Sequence, residues 1–214
     1  TLVWQALRNR GNDIGAMLRY SLPVYINALV FIGIPYIPQF VITARLDAQA
    51  SGTYGLITTF AAPMSLMVYS LRSVLLPRML GDGDLIEKKL WSLRGFITLK
   101  LIALATGLLG LCIAQGLDWV YGTRFPEISP SFALFFAGYA LTACLGIYSL
   151  SIHTLGVPKL AMWISLLKIV ALMAAMAVFG KTLLEVILVT VTIMVIGEVV
   201  LAAVLWRKKE GIGT

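Results

Sequence analysis

The stretch TLLEVILVTVTIMVIGEVVLAAVLW, Thr182–Trp206, decides the fold. It holds 25 residues with two acids and no base. As a helix rising ~1.5 Å per residue it is ~37 Å long, more than the ~30 Å hydrocarbon core of a bilayer. Glu185 lies within a turn of one end and reaches headgroups, whereas Glu198 falls ~12 Å inside the other end. A charge at such depth costs at least ~2.5–3.5 kcal/mol unless it faces protein or a wet cavity. The stretch therefore reads as a membrane span that packs its acid against other helices.

The same pattern runs through the chain. Its 214 residues have a mean hydropathy of +0.91, with 59% hydrophobic and 13% charged residues, which excludes an ordinary soluble domain. Six spans are expected, at 20–44, 53–80, 94–116, 129–152, 158–180 and 182–206. They are separated by the polar turn Leu46–Gly52, the charged loop Gly81–Lys89, the aromatic-rich segment Asp118–Pro130, and tight turns at Gly156-Val157-Pro158 and Gly180-Lys181. No strand pattern occurs, and the fold class is an all-α integral membrane protein. Residues 1–19 read as a cytoplasmic linker, 20–206 as a six-helix transmembrane lobe and 207–214 as a cytoplasmic tail. No signal-peptide pattern occurs, and a chain that starts at Thr1 without Met reads as a fragment of something longer.

The net charge of +7 is explained by topology. Six spans put both ends on one side. That side collects eleven basic residues: Arg8, Arg10, Arg19, Arg78, Lys88, Lys89, Arg94, Lys159, Arg207, Lys208 and Lys209. The other has three, Arg45, Arg124 and Lys181. The positive-inside bias places both termini in the cytoplasm, and nucleic acid is not needed to explain the charge.

Three bases remain inside spans, Arg72, Lys100 and Lys168, with one deep acid, Glu198. All four fall in one layer of the cytoplasmic half, roughly 10–12 Å or somewhat more from the span ends. Spans five and six are sequential and antiparallel, so Lys168 and Glu198 are placed to meet. Span two carries a small and polar stripe, Thr58, Ala61, Ala62, Ser65, Tyr69 and Arg72, opposite Leu56, Phe60, Met67, Leu71 and Val74. Span four repeats the pattern with Tyr139, Thr142, Gly146, Ser149 and His153, and span five with Ala161, Ser165, Lys168 and Ala175. The candidates for lining a cavity are Arg72, Lys100, Lys168, Glu198, Tyr69 and Ser65.

Blander readings stand beside these. Small and hydroxyl residues are the usual packing surface of membrane helices. Lys100 is close enough to a helix end to snorkel. Lys168 with Glu198 also reads as a structural ion pair, His153 as an interfacial residue, and Asn27 and Gln39 as hydrogen-bonding bridges between helices. In span one the segment FIGIPYIPQF, Phe31–Phe40, places Gly33, Pro35 and Pro38 where a helix should be continuous. Each proline removes a donor and frees a carbonyl four residues back, near Phe31 and Ile34, so this is a kink or a hinge.

Enzyme motifs are absent: no HExxH, GxSxG, GxxxxGK[ST] or CxxC occurs, and no metal or cofactor is expected. Cys112 and Cys144 fall within spans and read as packing residues. The acids Asp82, Asp84 and Glu87 share a loop with Lys88 and Lys89 and read as solvated.

Four short motifs recur in a fixed order: Tyr20-Ser21-Leu22-Pro23, Leu46–Tyr54 (LDAQASGTY), Leu75-Leu76-Pro77-Arg78 and Leu155–Leu160 (LGVPKL). Together they resemble the C-terminal half of the polysaccharide-biosynthesis flippases, the O-antigen and capsule exporters related to multidrug and toxin extrusion transporters. The resemblance spans about Arg19 to Arg207. Asp47 stands where the family turn has its first glycine. Pro38-Gln39 stands where many relatives have Asp-Arg, so no site is carried to those positions. The resemblance implies one lobe of a two-lobe exporter, in the cell inner membrane. Its partner would be an N-terminal lobe or a second copy. Its substrate would be an undecaprenyl-pyrophosphate-linked oligosaccharide, turned from the cytoplasmic to the outer leaflet past a cationic cavity. The alternatives are an ion-coupled multidrug exporter of the same superfamily, and a non-transporting scaffold or truncated product.

Overall fold

The computed structural model describes residues 14–81 and 92–210, and among them every regular element is helical. The loop acids Asp82, Asp84 and Glu87 and the linker before residue 14 lie outside the described residues. The helices are α1 (Ile14–Gly33), α2 (Tyr36–Arg45), α3 (Ala48–Gly81), α4 (Leu93–Tyr121), α5 (Ile128–Gly146), α6 (Ser151–Leu155), α7 (Pro158–Phe179) and α8 (Leu183–Glu210). A single 3-10 turn, Tyr148–Leu150, joins α5 to α6.

Among the described residues, four stretches are long and apolar enough to cross a membrane: Ile97–Tyr121, Ile128–His153, Pro158–Phe179 and Leu183–Lys208. They match expected spans three to six, with different ends. α4 continues through Asp118-Trp119-Val120-Tyr121, a segment expected to be an interfacial loop, because no proline or turn glycine stops the helix before Gly122. The expected first span is divided between α1 and α2. The expected second lies in α3, part of whose side chains are outside the described residues.

Local chemistry sets the ends. Asp47 precedes α3 and its Oδ1 accepts from Ala50 N at 2.7 Å, an N-cap that a glycine in its place would lack. Ser92 caps α4 by accepting from Gly95 N at 3.1 Å. At α8, Thr182 Oγ1 accepts from Glu185 N at 3.2 Å while Glu185 Oε2 accepts from Lys181 N at 3.0 Å. Glu185 is thus folded back on the helix start, close to a capping box, instead of reaching for headgroups. α6 ends at Gly156, whose φ of 65° is left-handed, and Val157 N donates back to Ile152 O at 3.1 Å. Pro158 then opens α7, where its missing N–H costs nothing.

α5 is the central helix. It packs against α4, α8 and α3, and 67% of its most apolar stretch is buried, against 11% for α4. α8 bridges α5 to α7, α7 packs on α1, and α2 packs on α3 and α8. Glycines permit close approaches of α5 to its neighbours. A Cβ on Gly138 of α5 would overlap the Val191 side chain of α8, and one on Gly110 of α4 would overlap the Phe136 ring of α5. The core includes Tyr54, Phe132, Phe135 and Phe136, with the Tyr54 and Phe135 rings edge to face at 6.0 Å.

The outer faces are as apolar as the core. Ile97, Leu101, Leu104, Leu108 and Leu111 run down one exposed face of α4, and Trp163, Leu167 and Val170 lie exposed on α7. Rows of this size at helical spacing are the lipid-facing surface of a membrane protein.

On α3 the faces differ from expectation. Among its described side chains the buried positions are Thr53, Tyr54, Ile57, Ala61 and Met64. Ala62 is exposed and Thr58 half-buried, its hydroxyl returning to Gly55 O at 3.0 Å. Over its described side chains the buried face of α3 is therefore mainly apolar, and of the described stripe residues Thr58, Ala61 and Ala62 only Ala61 is buried. Phe60 and Val74 are exposed, as expected of a lipid side.

Candidate functional site

The strongest constellation lies where α7 crosses α8. Lys168 Nζ donates to Glu198 Oε1 at 2.6 Å, and both residues are buried, 9% and 5% exposed. The antiparallel pairing of sequential spans and their matched depth bring them together, as the sequence predicts. The buried row of α7 is Ala161, Ser165, Lys168, Leu172 and Met176, so the lysine continues a core-facing stripe; Ala175 is only half-buried.

Neighbouring helices complete the setting. The Lys168 stem lies against Gly197, where a Cβ would overlap it. Glu198 Oε2 faces Gly146 of α5, 3.7 Å from where a Cβ there would stand. One turn from Lys168, Ser165 donates its hydroxyl to the Asn27 side-chain carbonyl, tying α7 to α1. A polar layer thus crosses α1, α7 and α8 and abuts α5. A buried ion pair contributes little net stability, because desolvation of both charges offsets their attraction. Its partners are nonetheless strongly interdependent.

Lys100 is not part of this layer. It lines a groove of about 660 Å³ between α4, α5 and α8, whose walls include Leu99, Leu141, Tyr148, Val199 and Trp206. The groove uses Val195, Val199 and Ala202 of α8, whereas Glu198 turns to α7. The sequence-based layer of four charges therefore separates into a closed pair on one face of α8 and a cation beside an open apolar groove on another. Arg72, Tyr69 and Ser65 lie on α3, and their side chains are outside the described residues.

The kink is built by three residues in sequence. α1 stops at Gly33, Ile34 and Pro35 form a turn, and α2 starts at Tyr36. The carbonyl of Ile34, expected to be free, accepts from Ile37 N at 3.3 Å. The buried Tyr54 donates its hydroxyl to Pro35 O at 3.0 Å. Pro38 falls in the first turn of α2, where a backbone N–H has no intrahelical partner in any case. Gln39 and Thr43 do not serve the freed carbonyls. Gln39 Nε2 donates to Ser51 Oγ at 2.9 Å and Thr43 Oγ1 lies 3.2 Å from the same oxygen, which joins α2 to α3. Tyr36 is exposed.

Two contacts were not foreseen from the sequence. Arg45 Nη1 donates to Met176 O at 3.1 Å and Ala177 O at 3.3 Å, placing a cation on the C-terminal carbonyls of α7. Tyr20 Oη lies 3.1 Å from His153 Nδ1, joining α1 to α6. The first leaves only a basic residue next to a turn as its signal, and the second links positions 133 apart in sequence.

Described basic residues lie at both ends of the bundle. Arg19, Lys159 and Lys208 surround one pocket at one end. Arg45 meets the C-terminus of α7, and Gln49 meets the backbone of Arg124, at the other. Comparison with protein families, with curated proteins and with solved structures finds no match to this chain.

Proposed function

We propose that this chain is one lobe of a membrane exporter that turns a lipid-linked oligosaccharide from the cytoplasmic to the outer leaflet. Six spans, including the kinked α1–α2 and α3, would form the lobe. A second lobe, encoded alongside it or supplied by a second copy, would close the transport path. The observation that carries the reading is the groove between α4, α5 and α8: an apolar trough of about 660 Å³ with Lys100 among its lining residues. An apolar channel beside a cation suits a substrate with a long hydrocarbon tail and an anionic phosphate head. The ordered set of four motifs supports the same reading from the sequence.

Alternating access would rock the lobe against its partner around a site near the midplane. The α1–α2 kink is the natural bending point, and Arg72 would add a second cation to the path. The buried acid Glu198 favours a second reading, an ion-coupled multidrug exporter, because intramembrane acids commonly carry protons or cations. The reading calls for no catalytic residue.

Complementation separates the two. A strain lacking its polysaccharide flippase and expressing the full reading frame around this chain is expected to regain surface polysaccharide. Verified membrane insertion with no surface polysaccharide, together with resistance to cationic drugs, would establish the exporter instead.

A further inference from the structure

A second concavity lies at the opposite side of α8 from the groove, where α1, the α6–α7 turn and the end of α8 converge. It has a volume of about 510 Å³, and Arg19, Tyr20, Gly156, Pro158, Lys159 and Lys208 are among its walls. Each of its three cations comes from a different helix, so they share a site only in the folded bundle. Among the described residues the only ion pair is Lys168–Glu198, and no acid lines this pocket. We propose that it binds the phosphate of an anionic lipid headgroup.

Depth supports a lipid source. Lys159 is the second residue of one membrane-crossing stretch and Lys208 the last residue of another. The pocket therefore opens where two helices leave the apolar layer, at headgroup level. Trp163, one turn into α7 from Lys159, is 65% exposed, and an exposed indole at that level sits naturally among headgroups.

The walls are fixed in place. The Tyr20 hydroxyl is held to His153, and left-handed Gly156 with Pro158 reverses the chain so that α7 begins at the pocket. The first-turn amides of α7 add their partial positive charge to that of the side chains. Three cations around one concavity repel one another, and a phosphate relieves that repulsion. Scattered basic residues attract an anionic leaflet by about fivefold each. A built pocket differs in holding one lipid with defined stoichiometry. The site depends on membrane insertion and not on the transport reading, so it stands or falls separately from it.

The test uses the full chain, purified in neutral detergent. Phosphatidylglycerol, phosphatidylcholine and inorganic phosphate are added in separate arms, and bound lipid is counted by native mass spectrometry with thermal midpoint read in parallel. One phosphatidylglycerol is expected to be retained and to raise the midpoint, with phosphatidylcholine much weaker. The triple variant Arg19→Gln/Lys159→Gln/Lys208→Gln should weaken binding about a hundredfold. The charge-keeping Lys159→Arg/Lys208→Arg should retain it, and so should Arg94→Gln/Arg207→Gln, which removes two exposed cations outside the pocket walls. Inorganic phosphate that binds alone, and is lost in the triple variant, would keep the phosphate site but assign it a soluble anion. Equal losses in the triple variant and in Arg94→Gln/Arg207→Gln would overturn the proposal in favour of diffuse surface charge. So would the absence of any retained lipid or phosphate.

Discussion

The aliphatic stem of Lys168 lies against Gly197, one residue before the acid that its ammonium group meets. Only a glycine leaves room for that stem. Gly197→Ala is expected to displace a buried lysine that is held at its far end, costing about 1–3 kcal/mol as an overpacked site. The thermal midpoint of the purified protein in detergent should fall clearly. An unchanged midpoint would mean that the stem moves aside freely and is not fixed by the pair.

Removing one member of the pair should cost more than removing both. Lys168→Met leaves Glu198 buried without its cation, a loss of about 3–5 kcal/mol. Lys168→Met/Glu198→Leu should return to within about 1 kcal/mol of the parent, since apolar replacements of similar size avoid the desolvation cost. The transport reading expects the double variant to be stable yet inactive in export. Full export by that variant would reduce the pair to a packing device.

The crossing of α5 and α8 gives a cleaner packing test. Gly138→Ala places a methyl group into the Val191 side chain and should destabilise the protein by about 1–3 kcal/mol. Val191→Ala in the same chain should recover most of that loss, because it vacates the overlapping volume. Additive losses in a double-mutant cycle would show that the two residues do not meet.

The kink makes a separate prediction. Tyr54→Phe removes the donor to Pro35 O and leaves a carbonyl beside a fully buried ring, at a cost of about 1–3 kcal/mol. Pro35→Ala/Pro38→Ala should lower export if the α1–α2 junction bends during transport. Unchanged export would leave a static kink, with Tyr54 as its brace.

The helical membrane character and much of the Lys168–Glu198 contact were legible in the sequence for physical reasons. Hydropathy reports the four long apolar stretches directly, and depth along two antiparallel neighbours fixes which charges meet. The Gly156-Val157-Pro158 turn was equally readable, because left-handed backbone and a helix-opening proline each demand a residue type. Other features depend on neighbours that no local pattern encodes. The tightening at Tyr148–Leu150 has no proline to announce it, and Arg45 reaches carbonyls 131 and 132 residues away. Over its described first half, the buried face of α3 follows its packing against α5 and α2 more than its polar stripe. Lys100 shares a depth with the buried pair, but depth alone does not reveal which side of α8 a residue on α4 will reach.

Flipping by the reconstituted full-length protein tests the central claim most directly. Proteoliposomes would carry a fluorescent undecaprenyl-pyrophosphate-linked saccharide, and the fraction shielded from a membrane-impermeant quencher would be followed over time. The account predicts protein-dependent exchange between leaflets that Arg72→Ala and Lys100→Ala slow at least about tenfold by removing cations for the pyrophosphate. Exchange no faster than in protein-free vesicles, with the protein folded and inserted, would contradict it.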